Sequence, residues 1–381
     1  MTEKTNFLEK LFKIAYTLLL IEYYVKKVPT LTAIIKHFKL IAIIILLFCC
    51  IIQSKKYNIK TIITIYMLII INALVCFTSN DTTILLLFLI ILSLKNIDLI
   101  KLLKFDISLK IMIIILLYIL SKFGMTNEGI FFRDGIMRYA FGFTQPNTFG
   151  DIVASVIIEY IYINQNRMNI IKSICILSIS LLVSHYSDSR TSLVISLIII
   201  LCCIFKDTLI NKIIYKKPMK FIIENSWIIF TLITILFTIL YQNNNSFGIW
   251  INDALSNRIK YIIRFLNNYN IKLFGNKLVF VYSLTARTTG LTYAVLDNAY
   301  IRMILQYGIS TYLIMYYYTK KLIQQAYKNT DTIFICILFV LLMRGIAEHG
   351  CYVVFSNVFL VYINKVIYTN EYKKGGNYEK I

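Results

Sequence analysis

Long apolar runs alternate with short polar connections along almost the whole of this 381-residue chain. A helix needs about 20 predominantly apolar residues to cross ~30 Å of hydrocarbon, and many of these runs approach that length. The pattern predicts spanning helices at 9–25, 38–53, 61–78, 83–94, 107–123, 148–164, 171–186, 191–205, 222–241, 298–318, 332–346 and 351–366. The run at 83–94 is short and borrows flanking residues. The first is interrupted by Lys13 and Glu22, so an interfacial helix is an alternative reading there. The fold class expected is an all-α polytopic integral membrane protein of about 12 transmembrane helices. It forms one transmembrane domain over 1–381, with a long extracytoplasmic loop at 242–297.

Composition agrees with this reading. A hydrophobic content of 58% with only 15% charged residues excludes an ordinary soluble domain. No small-residue cleavage site follows the first apolar run, which predicts that no signal peptide is removed. The net charge of +21 does not imply a nucleic-acid partner, because the basic residues lie in short runs between spans. The eight cysteines all fall in or beside apolar runs without CxxC spacing, and they read as small hydrophobes. No P-loop, GxGxxG, HExxH or GxSxG appears, so nucleotide, zinc-protease and serine-hydrolase readings lack support, and neither cofactor nor metal is expected.

Every second connection is rich in lysine, as at Lys55, Lys56 and Lys60, or from Lys206 to Lys220. By the positive-inside rule those connections are cytoplasmic, and both termini with them. Lys26, Lys27, Lys36 and Lys39 run against the rule.

Arginine is distributed differently. Of 40 basic residues nine are arginine, and on this topology only Arg167 is inside. Arg133, Arg138, Arg190, Arg258, Arg264, Arg287, Arg302 and Arg344 lie at or just below the outer surface. A guanidinium is a planar fork of donors that matches phosphate bidentately, whereas lysine is a point charge. The bias therefore suggests an outer-face site for a phosphate-bearing group. Snorkelling to the interface is the competing account, although it would serve the inner leaflet equally.

The outer segments carry the candidate chemistry. Between two apolar runs lies Arg138-Tyr-Ala-Phe-Gly-Phe-Thr-Gln-Pro-Asn-Thr-Phe-Gly150, where Gly142, Pro146 and Gly150 interrupt helix and Gln145 and Asn147 offer hydrogen-bonding groups. In the long loop Leu255, Ile259, Ile262, Ile263 and Leu266 recur at helical spacing. They predict an amphipathic helix on the outer membrane surface, or a plain surface helix without a chemical role. Asp297, Glu348 and His349 are candidate bases, although Glu348 could equally pair with Arg344 four residues earlier. Gln145, Asn147, Asn298 and Tyr300 are candidate sugar-binding residues; each is also explicable as a helix cap or interfacial aromatic.

These segments are similar to a known family. Phe141-Gly-Phe-Thr-Gln-Pro-Asn-Thr-Phe-Gly150 resembles the GF-x-(H/Q)-P-N-x-x-G signature of Wzy-type polysaccharide polymerases, within the O-antigen ligase-like superfamily. Ser189-Arg190-Thr191-Ser192 resembles their SRT turn. Ser256-Asn-Arg258 with Phe274-Gly275, and Leu296-Asp-Asn-Ala-Tyr300 with Tyr307-Gly308, are similar to further islands, and Glu348 resembles their acidic residue of the last outer hairpin. The resemblance covers about residues 100 to 355. The related ligases carry His-Asn where this chain has Asp297-Asn298, so no histidine base carries over there. The spaced arginine–glycine pattern of the Gram-negative polymerases is also missing.

The resemblance implies a glycosyltransferase that joins polyprenyl-pyrophosphate-linked oligosaccharide repeat units into capsule, exopolysaccharide or O-antigen at the outer face of the bacterial cell membrane. Arg190 and Arg258 would hold pyrophosphate, with Arg138 and Arg287 next; Asp297 and Glu348 would serve the acceptor. Arg344 and His349 would lie among the substrate contacts. A flippase and a chain-length regulator are the implied protein partners. The alternative readings are a flippase or exporter of lipid-linked oligosaccharides, or a ligase-like transferase.

The orientation is testable. Cysteine-accessibility tags at Asn244 and Asn276 are expected to react from outside intact cells, and tags at Lys217 and Lys374 are not. Labelling at Lys217 would reverse the orientation and remove the argument from arginine.

Overall fold

The computed structural model describes residues 3–25, 31–54, 57–95, 97–126, 129–133, 135–282, 286 and 289–369. Helix accounts for 76% of the structure. Among the described residues the one sheet is an antiparallel pair, β1 (Ile130–Arg133) with β2 (Ile136–Tyr139), in the register Ile130 to Tyr139. The expectation of an all-helical architecture holds in that coarse sense.

The first half comprises α1 (Glu3–Val25), α2 (Phe38–Ser54), α3 (Ile59–Ser79), α4 (Thr83–Leu92) and α5 (Leu99–Lys122). After the hairpin come α6 (Pro146–Ile163), α7 (Ile170–Ser187) and α8 (Arg190–Ile204), then α9 (Lys217–Glu224) and α10 (Ser226–Gln242). The long loop contains two helices, α11 (Ser246–Ala254) and α12 (Arg258–Asn268), and α13 (Gly308–Lys328) and α14 (Thr332–Arg344) follow.

Helix starts follow the capping chemistry of the sequence. Asp98, Asn169, Asn245 and Asp331 each accept a backbone N–H two or three residues on. Pro146 opens α6, where its missing N–H costs nothing.

Two helices, α3 and α7, are long and apolar enough to cross a membrane. Two further pairs meet the same criterion if each counts as one bent span: α8 with the helical turns to Ile214, bent by 76°, and α9 with α10, bent by 77°. α2, α4 and α14 are apolar but shorter. α4 is buried all round from Leu86 to Leu92, as expected of a short helix at the centre of a bundle.

The expected span at 351–366 is not one helix. It begins with a single turn at His349–Tyr352, passes through a further turn, and becomes helical only over Val358–Ile367, as 3-10 helix to Tyr362 and α-helix beyond; nearly all of it is buried. Enclosure by protein permits this, because irregular backbone is costly only where it faces lipid. Asn357 and Asn364 help, donating to the carbonyls of Cys351 and Ile91 respectively.

The expected span at 298–318 is broken as well. A helical turn at Ala299–Arg302 and a wide turn at Met303–Tyr307 lead to Gly308, and α13 then runs on to Lys328. Gly308 has φ +85° and Gly275 has φ +81°. They lie where two backbones touch: a Cβ on Gly275 would collide with the Gln306 carbonyl, and one on Gly308 with the Leu273 carbonyl. Asn276 N–H donates to Leu305 O at 3.0 Å and Ser310 N–H to Leu273 O at 3.1 Å across the same seam.

The amphipathic helix exists as α12, but its apolar face is covered by the chain itself. Ile262 and Phe265 pack on Leu278, Ala294, Leu296, Ile301 and Leu305, forming a second small core. Ile259 is also buried, Leu255 lies in the preceding turn, and Ile263 and Leu266 are less enclosed. Protein rather than lipid therefore takes the apolar stripe of this helix out of water.

The contacts separate into two ends of the bundle. At one, Lys95 N–H donates to Gln53, Tyr162 to Asp331, and Lys206 to Gln165. At the other, Tyr307 donates to Asp81, Thr78 to the Phe274 carbonyl, and Lys39 pairs with Glu22 at 3.5 Å. Lys39, which runs against the positive-inside pattern, thus has an acidic partner.

Gly275→Ala is expected to lower the stability of the purified protein by about 1 to 3 kcal/mol, the usual range for overpacking. Gly124→Ala, with a similar φ of +69° but open space at the Cβ position, is the control. Equal losses in thermal unfolding would show that backbone conformation, not the carbonyl contact, accounts for the effect.

Candidate functional site

Glycine packing brings the polar segments together before any charge is considered. Gly150 on the second turn of α6 lies against Ser189, so closely that a Cβ would overlap the serine side chain. The Gln-Pro-Asn segment and the Ser-Arg-Thr turn are therefore in direct contact. Arg138 from β2 reinforces them: its Nε donates to the Ser187 carbonyl at 2.9 Å and its Nη2 to Asn147 Oδ1.

Beside them the end of α14 supplies Arg344, whose side chain is only 4% exposed. Its guanidinium bridges two carboxylates, Asp151 of α6 and Glu348 beyond its own helix, with Nε to Glu348 Oε2 at 2.9 Å. Asp151 also accepts from Ser356 at 2.6 Å. Glu348 accepts from the Thr191 hydroxyl at 2.6 Å and from Arg258 Nη2 at 3.3 Å. Arg258 Nε in turn lies 3.5 Å from Asp297 Oδ2, and Asp297 Oδ1 is 4.0 Å from His349 Nδ1. One continuous network thus joins α6, α8, α12, the end of the long loop and the last hairpin.

The carboxylates are not equivalent. Burial pushes the Glu348 carboxyl up, but Arg344 and then Arg258 outweigh it, and the Thr191 hydroxyl adds to their effect; the result is about 2. A carboxylate of that acidity is a poor base near neutrality, so Glu348 is the ion-pair partner. Asp297 moves the other way: burial raises it, Arg258 offsets part of the rise, and Glu348 adds to it. His349 is pushed well below its ordinary value by burial and by nearby arginines, chiefly Arg302, so the imidazole is neutral. Asp297, whose hold on a proton is strengthened, is therefore the better proton acceptor of this network.

The arginines divide into tightly and loosely held. Arg138 and Arg344 are buried and committed to several protein acceptors. Arg302, also buried, donates to Gln306 at 2.7 Å and stacks 4.6 Å from the Phe280 ring centre. Many of these arginines thus build the fold, since one guanidinium can satisfy acceptors from several segments at once. Arg190 is 65% exposed and contacts Asp188 at 3.0 Å, and Arg258 makes only the longer contacts given above. Arg138, Arg190, Arg258 and Arg344 balance Asp151, Asp188, Asp297 and Glu348, four charges against four.

The remaining sequence-derived candidates are placed as follows. Gln145 caps α6 from extended backbone, half-buried and without a side-chain capping bond. Asn147 accepts from Arg138. Asn298 is buried: its amide donates to Thr234 and to the Ile346 carbonyl, and its oxygen accepts the Ile301 N–H. Tyr300 is fully buried and donates to the Leu342 carbonyl. Both are committed to the fold, Asn298 as a helix cap. Arg287 lies outside the described residues.

Asp151, Thr191 and Ser356 belong to the network but were not singled out from sequence. Asp151 directly follows the Gly150 that closes the polar segment, and Thr191 stands inside the Ser-Arg-Thr turn; those positions were their only signal. Among the described residues no group of three His, Cys, Asp or Glu side chains could hold a metal ion. No protein-family model, curated protein or solved structure matches the chain.

Because Glu348 is depressed from 4.5 to about 2, its pairing stabilises the fold fully above pH 4.5 and is lost as pH falls toward 2. Glu348→Gln leaves two guanidiniums short of a counter-charge and is expected to cost about 3 to 5 kcal/mol at neutral pH. The gap in melting temperature between wild type and variant should close between pH 4.5 and 2. A gap that does not change with pH would show that Glu348 is not held as an anion.

Proposed function

We propose that this chain is a polysaccharide repeat-unit polymerase of the bacterial cell membrane, acting on polyprenyl-pyrophosphate-linked oligosaccharides at the outer face. One observation carries the reading. The islands that resemble Wzy-type polymerases, far apart in sequence, meet in a single network: Thr191 reaches Glu348 across 157 positions and Arg258 reaches it across 90. Gly150 packs on Ser189 beside them.

In this reading about twelve segments cross the membrane, with both termini cytoplasmic. The segment 351–366 crosses inside the protein, where its irregular backbone is enclosed. The end of the bundle holding Asp81, Arg258 and Glu348 faces outward, and the end holding Lys95 and Lys206 faces the cytoplasm.

The chemistry is a displacement at the anomeric carbon of the donor sugar. An acceptor hydroxyl oxygen forms the new glycosidic bond as the bond to pyrophosphate breaks. The electron pair leaves with the polyprenyl pyrophosphate, and the hydroxyl proton passes to Asp297. Pyrophosphate is a good leaving group, so the protein's main tasks are to orient the hydroxyl and neutralise the departing charge. Arg190 and Arg258 are the loosely held guanidiniums suited to that task. Arg344, bridging Asp151 and Glu348, positions them through Glu348.

Purified protein supplied with a lipid-linked repeat unit is expected to yield a ladder of longer products. Movement of the unit across proteoliposomes without a ladder would favour a flippase, and a single transfer to another acceptor a ligase. Arg190→Lys and Arg258→Lys keep the charge but remove the fork. Losing a charge-assisted hydrogen bond costs roughly 1.5–3 kcal/mol, and ~1.4 kcal/mol is tenfold in rate. Each variant should therefore be slower by about one to two orders of magnitude, at normal membrane levels, while Arg167→Lys at the opposite end should be nearly silent. Wild-type rates in both would remove these two residues from the pyrophosphate site.

A further inference from the structure

A second group of ionisable side chains lies deep in the bundle, apart from the network above. Asp106 and Lys110, one turn apart on α5, meet Glu159 of α6, and all three side chains are at most 1% exposed. Lys110 Nζ is 2.6 Å from Asp106 Oδ2 and donates to Glu159 Oε1 at 2.6 Å. Tyr16 of α1 donates its hydroxyl to Asp106 Oδ1 at 2.8 Å. Tyr24, also on α1, is a further titratable group close enough to feel both carboxylates.

The charges do not balance. Two carboxylates and one ammonium leave a net negative charge with no access to water, an arrangement proteins avoid by protonation. The hydrogen bonds do not balance either. Glu159 Oε2 has no donor, and both carboxyl groups crowd one ammonium, each with an oxygen 2.6 Å from Lys110 Nζ. A buried acceptor is thus left without a hydrogen beside a second carboxylate. One added proton resolves both deficits: it neutralises the cluster, and it supplies the missing O–H donor.

We propose that Asp106 and Glu159, with Lys110 as counter-ion, form a buried proton-binding site that joins α1, α5 and α6. Its ligand is a single proton shared between the two carboxyl groups. The site rests on charge and geometry alone and does not depend on the reaction proposed above. It is nonetheless connected to the outer network through α6. Asp151, Ser155 and Glu159 are spaced four apart and share one helix face, so Glu159 lies about 12 Å below Asp151 along the axis, at ~1.5 Å per residue. The occupied site fixes the inner part of the helix whose outer end holds Asp151 for Arg344.

Infrared spectroscopy of the whole purified protein at neutral pH tests this, because a protonated carboxyl absorbs apart from carboxylate and amide groups. The wild type should show a protonated-carboxyl band that shifts in D₂O. Asp106→Asn and Glu159→Gln each leave one carboxylate facing Lys110, a neutral pair that needs no proton, so each should lose that band. Lys110→Met removes the counter-ion and should increase the band's intensity. Because the amide variants relieve the charge imbalance, they should melt no lower than the wild type. A wild type without the band would overturn the proposal, as would a band that survives in both amide variants. Should Lys110→Met fail to accumulate in the membrane, the two amide variants alone decide the outcome.

Discussion

The guanidinium of Arg344 is the interaction on which the polar end of this protein depends. It stands at the end of α14, nearly sealed from water, and holds Asp151 of α6 on one side and Glu348 of the last hairpin on the other. An arginine so enclosed is tolerable only with compensating carboxylates, and those carboxylates are tolerable only with the arginine. Glu348 then collects Thr191 from α8 and Arg258 from α12. Removing the guanidinium would leave Asp151 and Glu348 without the counter-charge they share.

Close backbone approach makes the network possible. Gly150 against Ser189 and Gly275 against Gln306 bring chain segments nearer than any side chain would allow. The polar groups then meet at hydrogen-bonding distances without long flexible reach, which limits the entropy lost on ordering them. The balance of four arginines against four carboxylates has a functional corollary. The pairings of this neutral, cross-linked cluster are loosest at Arg190 and Arg258, where the proposed anion would bind.

Charge is treated differently at the two depths of α6. Near its N-terminus, Asp151 is paired with an arginine. Deeper, at Glu159, a lysine faces two carboxylates, and the imbalance persists only if a proton is held there. The same helix face carries both arrangements, so the position of α6 ties the outer network to the buried one.

The sequence by itself determined the helical architecture, its apolar character and most helix starts, because these depend on local periodicity, capping and breaks at glycine or proline. It also marked the polar islands, and among them Arg258, Asp297, Arg344, Glu348 and His349 do assemble. Hydropathy could not separate a lipid-facing run from one enclosed by protein, so 351–366 read as one spanning helix although it opens with turns, is helical only from Val358, and is surrounded by the folded chain. Nor could periodicity say what covers the apolar face of α12, which packs on its own loop. Asp151, Thr191 and Ser356 became visible only in the folded chain, since their partners lie 157 to 205 positions away. Tertiary structure also decided that Asn298 and Tyr300 serve the fold and that Glu348 is an anion rather than a base. Those outcomes depend on burial and on neighbouring charge, which exist only once distant segments have packed.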